Sequence, residues 1–357
     1  MIQKRSPDGT CVARRARAWS AAVTTPPPGS PTPDDLARST VASPTGAAVI
    51  PSPAALVPGR FHIAPGLRDM MFASFFFALM GVLVKEVDSR LPVQHAVFAR
   101  SLIGLILSYA LIRRAKLHWL GNRPKLLGLR GLFGFLALLC NFGSLSLMPL
   151  SDATVLHQTQ PIWTTVFAAI FLAEPTNRRI WLATLVSLTG VVLVARPEFI
   201  FGAGATPALH WAGPVLALLA ALMSACAYVS VRALRRTDDP LIVVFWFALV
   251  ATPLSFPAVL ADPVMPSAYD LLVLVGIGIT VQIAQLLMTR ALHREAAGRV
   301  TAVGYTQVVF AFAFGALFFG EALTLLSAAG ALLVIVGAAI VSIRRTGATP
   351  VPPVRSA

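Results

Sequence analysis

The sequence predicts an all-α integral membrane protein: ten transmembrane helices arranged as two inverted five-helix repeats. Three observations carry that expectation. Hydrophobic residues make up 56% of the 357 positions and charged residues only 12%, where a soluble domain is about 25% charged. The surplus apolar surface needs lipid as its solvent. The pattern from Leu145 to Gly190 recurs from Leu292 to Gly337, with Thr154 answered by Thr301, Thr159-Gln160 by Thr306-Gln307 and Glu174 by Glu321, at one constant offset of 147 residues. A constant offset over half a chain marks a duplicated unit, and a membrane unit with an odd number of spans inserts in the opposite sense the second time. Finally, lysines and arginines gather in alternate loops, the signature of membrane topology.

Residues 1–66 differ from the rest. Pro26-Pro-Pro28 and further prolines through Pro65 break any periodic pattern, with Ser, Thr, Ala and Arg between them, so this segment reads as a disordered tail. It holds no apolar core of the kind a signal peptide needs. Arg14-Arg15 mimics a twin-arginine signal, but Pro26 ends the apolar run after it too soon. An organelle transit peptide and a translation start at Met70 or Met71 are the alternatives for this stretch.

From Arg68 the first repeat (67–198) reads as spans at 68–87, 93–112, 126–147, 151–172 and 179–195. The second (211–345) reads as spans at 211–233, 241–260, 268–289, 299–319 and 323–343, before a short tail at 346–357. Helices of this length cross roughly 30 Å of hydrocarbon at about 1.5 Å per residue. A helix satisfies its backbone within the segment, as lipid requires. With the N-terminus in the cytoplasm, 25 of the 29 Lys and Arg fall inside, including the run from Arg113 to Arg130. Lys85, Arg90 and Arg196 fall outside, and Arg100 lies within span two. Both termini are therefore expected in the cytoplasm, with a bacterial inner membrane as the setting.

The net charge of +14 does not point to nucleic acid. The basic residues sit in short runs between hydrophobic segments, with no aromatic-interleaved groove. Cys11, Cys140 and Cys226 form no CxxC pair, which indicates neither a disulfide framework nor a zinc site. No metal and no cofactor are expected.

Polar side chains inside a membrane are costly and face the bundle interior. His157, Gln160 and Thr164 fall at i, i+3 and i+7, one face of span four. Gln282, Gln285 and Thr289 repeat that spacing on span eight. Asn141 and Ser144 on span three, Ser224 and Tyr228 on span six, and Thr301, Tyr305 and Gln307 on span nine complete a set that converges on one cavity. The competing reading is hydrogen-bond glue between helices, about 0.6 kcal/mol per bond. Pro161 has no N–H and its ring clashes with the carbonyl of His157, so span four is expected to kink there and to serve as a hinge. His157 is either a neutral hydrogen-bonding side chain or a proton carrier titrating near neutrality. Arg100 either meets an anionic group of the substrate or pairs with a helix end. Glu174 and Glu321 sit at helix ends and read as caps or loop anchors. No Asp or Glu lies at mid-membrane, which argues against carboxylate-based proton coupling and for exchange or facilitated movement. Ser187, Gly190, Gly330, Gly337 and Ala338 permit close helix approach, within the chain or, as the alternative, in a homodimer.

Leu147-Met-Pro-Leu-Ser-Asp-Ala153, Thr159-Gln-Pro161, Leu172-Ala-Glu174 and Gly190-Val-Val-Leu-Val-Ala-Arg-Pro197 resemble the EamA-type transporters of the drug/metabolite transporter superfamily. Phe319-Gly-Glu321 repeats the acidic closing motif, and both units are covered, at roughly 68–197 and 211–344. Arg100, in Phe98-Ala-Arg-Ser101, resembles the arginine of that family's second span. The resemblance implies a secondary, non-ATP-driven transporter of a small metabolite, working by alternating access through a central cavity. It allows amino acids, nucleoside-like molecules, vitamins such as riboflavin, S-adenosylmethionine and sugars. Tyr228, Trp163 and Tyr305 would suit a flat heterocycle. The second repeat departs from the first at Val308, where Pro161 stands, and at Phe247, where Arg100 stands. The alternatives are a membrane-embedded enzyme, for which no HExxH, GxSxG or paired intramembrane carboxylate is present, and a non-transporting sensor or scaffold. No Walker loop appears.

Overall fold

The computed structural model describes residues 63–88, 90–201, 211–320 and 324–342. The tail at 1–62, Glu321 and the segment 346–357 lie outside the described residues. The first repeat forms α1 (Pro65–Asp88), α2 (Val93–Arg114), α3 (Pro124–Leu145), α4 (Leu150–His157), α5 (Gln160–Leu172) and α6 (Arg178–Ala195), followed by the short α7 (Glu198–Phe201). The second forms α8 (Ala212–Leu234), α9 (Pro240–Ala261), α10 (Ala268–Arg294), α11 (Ala297–Gly304), α12 (Thr306–Phe319) and α13 (Leu325–Ser342). Every element among the described residues is helical.

Nine helices among the described residues are long and apolar enough to cross a membrane, where the sequence led us to expect ten. The shortfall lies at 151–172, which is divided into α4 of 8 residues and α5 of 13. Ile106, Leu139, Ile170, Phe171, Leu272 and Leu317 are each more than half exposed. A surface so apolar is stable against hydrocarbon and not against water. The helix starts are built with polar caps. Asn177 accepts from Arg179 N at 3.2 Å, Asp239 accepts from Leu241 N at 2.8 Å, and Ser267 and Asp270 cap one another's backbone. Each cap satisfies an N–H that the first turn leaves orphaned.

The halves pack by exchange. α3 lies along α8, and its counterpart α10 lies along α1; α2 meets α9, and α6 meets α13. The self-paired helices run antiparallel: Phe98 stacks 5.5 Å from Phe256, and Tyr109 6.3 Å from Phe245. The exchange extends to single residues. A Cβ on Gly131 would lie 2.8 Å from the Val250 side chain, and one on Gly278 would lie 2.6 Å from that of Ile103. Positions 131 and 278 are repeat counterparts, and so are 103 and 250. Gly190 lets α6 reach the α13 backbone, since its Cβ would meet the Gly330 carbonyl at 2.5 Å. These small residues therefore pack within the chain.

α5 and α12 end on the same device. Ala173 and Gly320, again counterparts, adopt left-handed φ of 50° and 64°. Only glycine takes that conformation without steric cost; an L-residue there costs about 1–2 kcal/mol. Ala173→Gly should therefore raise the unfolding midpoint of the detergent-purified protein, by up to about 1 kcal/mol. A lowered midpoint would mean that the methyl group contributes packing that outweighs the strain.

Candidate functional site

Two helix breaks build the site, and they fall at counterpart positions: between α4 and α5 at Gln158–Thr159, and between α11 and α12 at Tyr305. At each break a threonine hydroxyl donates to a carbonyl of the preceding turn, Thr159 to Leu156 at 2.7 Å and Thr306 to Val303 at 2.8 Å. The backbone tightens to three-residue hydrogen bonds, from Thr159 N to Leu156 O, from Ile162 N to Thr159 O and from Val308 N to Tyr305 O. The two breaks then meet: the Tyr305 hydroxyl donates to the Gln158 carbonyl at 2.8 Å. Pro161 lies in the first turn of α5. Its missing N–H fits the interruption, yet the second break forms with Val308 in its place. Both breaks carry a threonine, and the proline accompanies only the first.

Beside the breaks lies a cavity of about 490 Å³. It brings together Arg100, Asn141, His157, Gln160 and Pro161 from the first repeat with Tyr228, Gln285, Tyr305 and Gln307 from the second. His157 Nε2 lies 3.3 Å from Ser224 Oγ, a hydrogen-bonded pair that joins α4 to α8. Three residues of the expected stripes on spans four and eight lie off the wall. Thr164 is fully buried one turn further along α5, where it accepts from Gln160 Nε2 at 2.9 Å and donates to the Gln160 carbonyl at 3.0 Å. Gln282 points to α2 and donates to Ser108 Oγ at 2.9 Å. Thr289 is buried away from the wall. Trp163 is 37% exposed and packs against Phe167 on the outer surface, away from the cavity.

The sequence reading missed Arg130 by counting it with the basic run from Arg113. It lies in the second turn of α3, is only 2% exposed and lines the cavity. Its Nη2 donates to Gln285 Oε1 at 3.2 Å, and its guanidinium stands 4.4 Å from the centre of the Phe247 ring. The signal was present: Arg130, Gly134, Ala137 and Asn141 follow one helical face, and all four line the cavity. Among the described residues, none that lines the cavity is acidic.

The cavity extends toward the helix ends that carry Val84, Val93, Leu145 and Leu150. At the opposite ends Glu174 gathers four elements. It accepts from Arg232 Nε at 2.5 Å, from Arg235 Nη1 at 3.2 Å and from Ala297 N at 3.0 Å, which caps α11. Arg232 also donates to the carbonyls of Leu292 and His293 at 2.8 and 3.1 Å. Both the cap and the anchor expected of Glu174 are present. Ala173, in its left-handed turn, aims this carboxylate back into the bundle.

The chain matches the model of the EamA-like transporter family twice, over residues 66–196 and 211–343. It is 33% identical over 282 residues to the pseudopaline exporter CntI of Pseudomonas aeruginosa, spanning 79% of this chain and 96% of that protein. It is 30% identical over 292 residues to solute carrier family 35 member G1 of Mus musculus, spanning 78% of each. A solved crystal structure superposes with a TM-score of 0.69 at 19% identity, over 78% of this chain and 99% of that one, a likeness of fold alone.

Glu174→Gln would leave the Arg232 side chain, 8% exposed, without a carboxylate. Removing one partner of a buried pair costs about 3–5 kcal/mol, so the unfolding midpoint should fall steeply. An unchanged midpoint would show that the cluster does not hold these helix ends together.

Proposed function

This chain belongs to the EamA-like transporter family, and from that premise we propose that its cavity carries a small metabolite across the membrane by alternating access. The general activity follows from the family and from relatives named as exporter and solute carrier: the protein is a multi-pass secondary membrane transporter. We assign ten crossings, taking 150–172 and 297–319 as one broken span each, in two inverted five-helix repeats. The antiparallel contacts of α2 with α9 support the inversion. The charge distribution supports cytoplasmic termini and, with a bacterial relative, an inner-membrane location. In that orientation the Glu174 cluster closes the cytoplasmic side and the cavity faces outward. The relative named as an exporter favours outward transport.

One observation carries this reading: a cavity lined by both halves, with polar side chains set in a largely apolar wall, stands where two helix breaks touch. Arg100, Asn141, His157, Gln160, Tyr228, Gln285 and Gln307 are its substrate-facing side chains. The breaks, with Pro161 beside the first, are the hinges. Thr164 and Gln282 take the structural role: Thr164 bonds within α5, and Gln282 ties α10 to Ser108 on α2.

A thermal-shift screen of the detergent-purified protein against amino acids, vitamins, nucleosides and sugars tests the site. A ligand at a hundred times its Kd adds about 2.7 kcal/mol to the stability of the native state. We expect at least one such ligand, and expect Gln160→Ala and His157→Ala to remove its shift. A shift that survived both substitutions would move the site elsewhere. Tyr305→Phe tests the hinge. It deletes one hydrogen bond worth about 1 kcal/mol, and it should change the rate of substrate counterflow in proteoliposomes while the ligand shift persists. An unaltered rate would separate the Tyr305 bond from transport.

A further inference from the structure

Two arginines are buried among the described residues, and they are treated differently. Arg232 is paired, with a carboxylate and two carbonyls around it. Arg130 has no carboxylate. One nitrogen donates to the neutral Gln285, an aromatic face covers the guanidinium plane, and Nε is buried without a hydrogen-bond partner. Arg100 lines the same cavity, half-buried, with no hydrogen bond or ion pair among the described residues. Both guanidinium groups belong to the wall of this one cavity. A cation within a membrane span is expensive and is ordinarily paired. Here two share one cavity with no acidic residue among the described lining, and the second repeat supports Arg130: Phe247, the counterpart of Arg100, supplies the ring beneath it.

Extending the transport reading above, we propose that the cavity selects organic carboxylates, with the substrate's carboxylate seated between Arg100 and Arg130. A guanidinium presents parallel N–H donors that match a carboxylate bidentately. The unpartnered Nε of Arg130 is one such donor, held ready by Phe247 and Gln285. Beyond the arginines, Asn141, Gln160 and Gln307 offer amides to the polar part of the molecule. Phe77, Met80 and Met288 offer apolar wall to its carbon skeleton. The cargo is therefore an amphipathic acid small enough for about 490 Å³.

The test reconstitutes the full chain in liposomes and offers an equimolar cocktail: carboxylic acids each beside the primary amide, phosphate monoesters each beside the parent alcohol, and cationic amines. Vesicle contents are read by mass spectrometry against protein-free vesicles, with loading from either side. Carboxylates are expected to accumulate and their amides are not. Losing one partner of a buried charge pair weakens binding on the order of 30-fold or more, so Arg100→Gln and Arg130→Gln should each cut accumulation by that factor. Arg130→Lys, which keeps the charge but loses the fork, should retain part of it. Phosphate monoesters accumulating in place of carboxylates would overturn the carboxylate assignment. Neutral or cationic compounds that accumulate and survive both glutamine variants would overturn the anion site and leave the transporter reading intact. Accumulation of nothing from either side would overturn both. Folding is checked separately: without ligand, Arg100→Gln should keep or raise the unfolding midpoint, because it removes an unpaired charge. A fall would mark Arg100 as structural and overturn its place in the site.

Discussion

The hydrogen bond from Tyr305 to the Gln158 carbonyl is the point on which the site rests. A helix interrupted inside a bilayer exposes backbone groups that hydrocarbon cannot satisfy, so an interruption survives only where the protein supplies the partners. Thr159 and Thr306 each return a hydroxyl to the turn before the break, and Tyr305 donates to the opposite one. Next to these breaks, the side chains of Gln160 and Gln307 line the cavity. Tyr305 and Gln158 are counterparts in the duplication, so the bond lies where the halves are related. It also breaks their equivalence, because only one of the two carries a phenol.

That inequality recurs through the cavity. The backbone framework is symmetric down to the glycine contacts at 131 and 278, while the chemistry is not. Both cavity arginines come from the first half. The second half places Phe247 opposite Arg100 in the repeat and Ile277 opposite Arg130, and it provides Gln285 and the aromatic ring that hold Arg130 in place. Duplication supplied the scaffold, and divergence made one half carry charge and the other support it.

Much of this was legible in the residues. The offset between Glu174 and Glu321 exposed the duplication, and most of the polar stripe on spans three, four, six and nine does line the cavity. What escaped depended on tertiary geometry. Gln282 and Gln285 share a helix and differ by three positions, yet α10 is wedged against α2, so the former meets Ser108 and the latter the cavity. Thr164 satisfies its hydroxyl within its own helix, a choice spacing cannot reveal. The interruption expected beside Pro161 is present, and its counterpart at Tyr305, which has no proline, was not visible in the spacing. Arg130 was masked by its neighbours: charge counting assigns a basic residue near a span end to the loop, and only the face shared with Asn141 points inward.

The exchange of partners between halves has a further consequence for how the molecule is made. α3 finds its long neighbour in α8, and α1 finds its own in α10, so neither half can bury its interior faces alone. While the ribosome is still producing the second half, the first six helices must wait in the bilayer with Arg100 and Arg130 lacking Phe247 and Gln285. Membrane insertion and assembly are thus separated in time by the synthesis of some hundred residues. Throughout that interval, lipid, or a chaperone in the membrane, has to shield the polar face that later becomes the cavity.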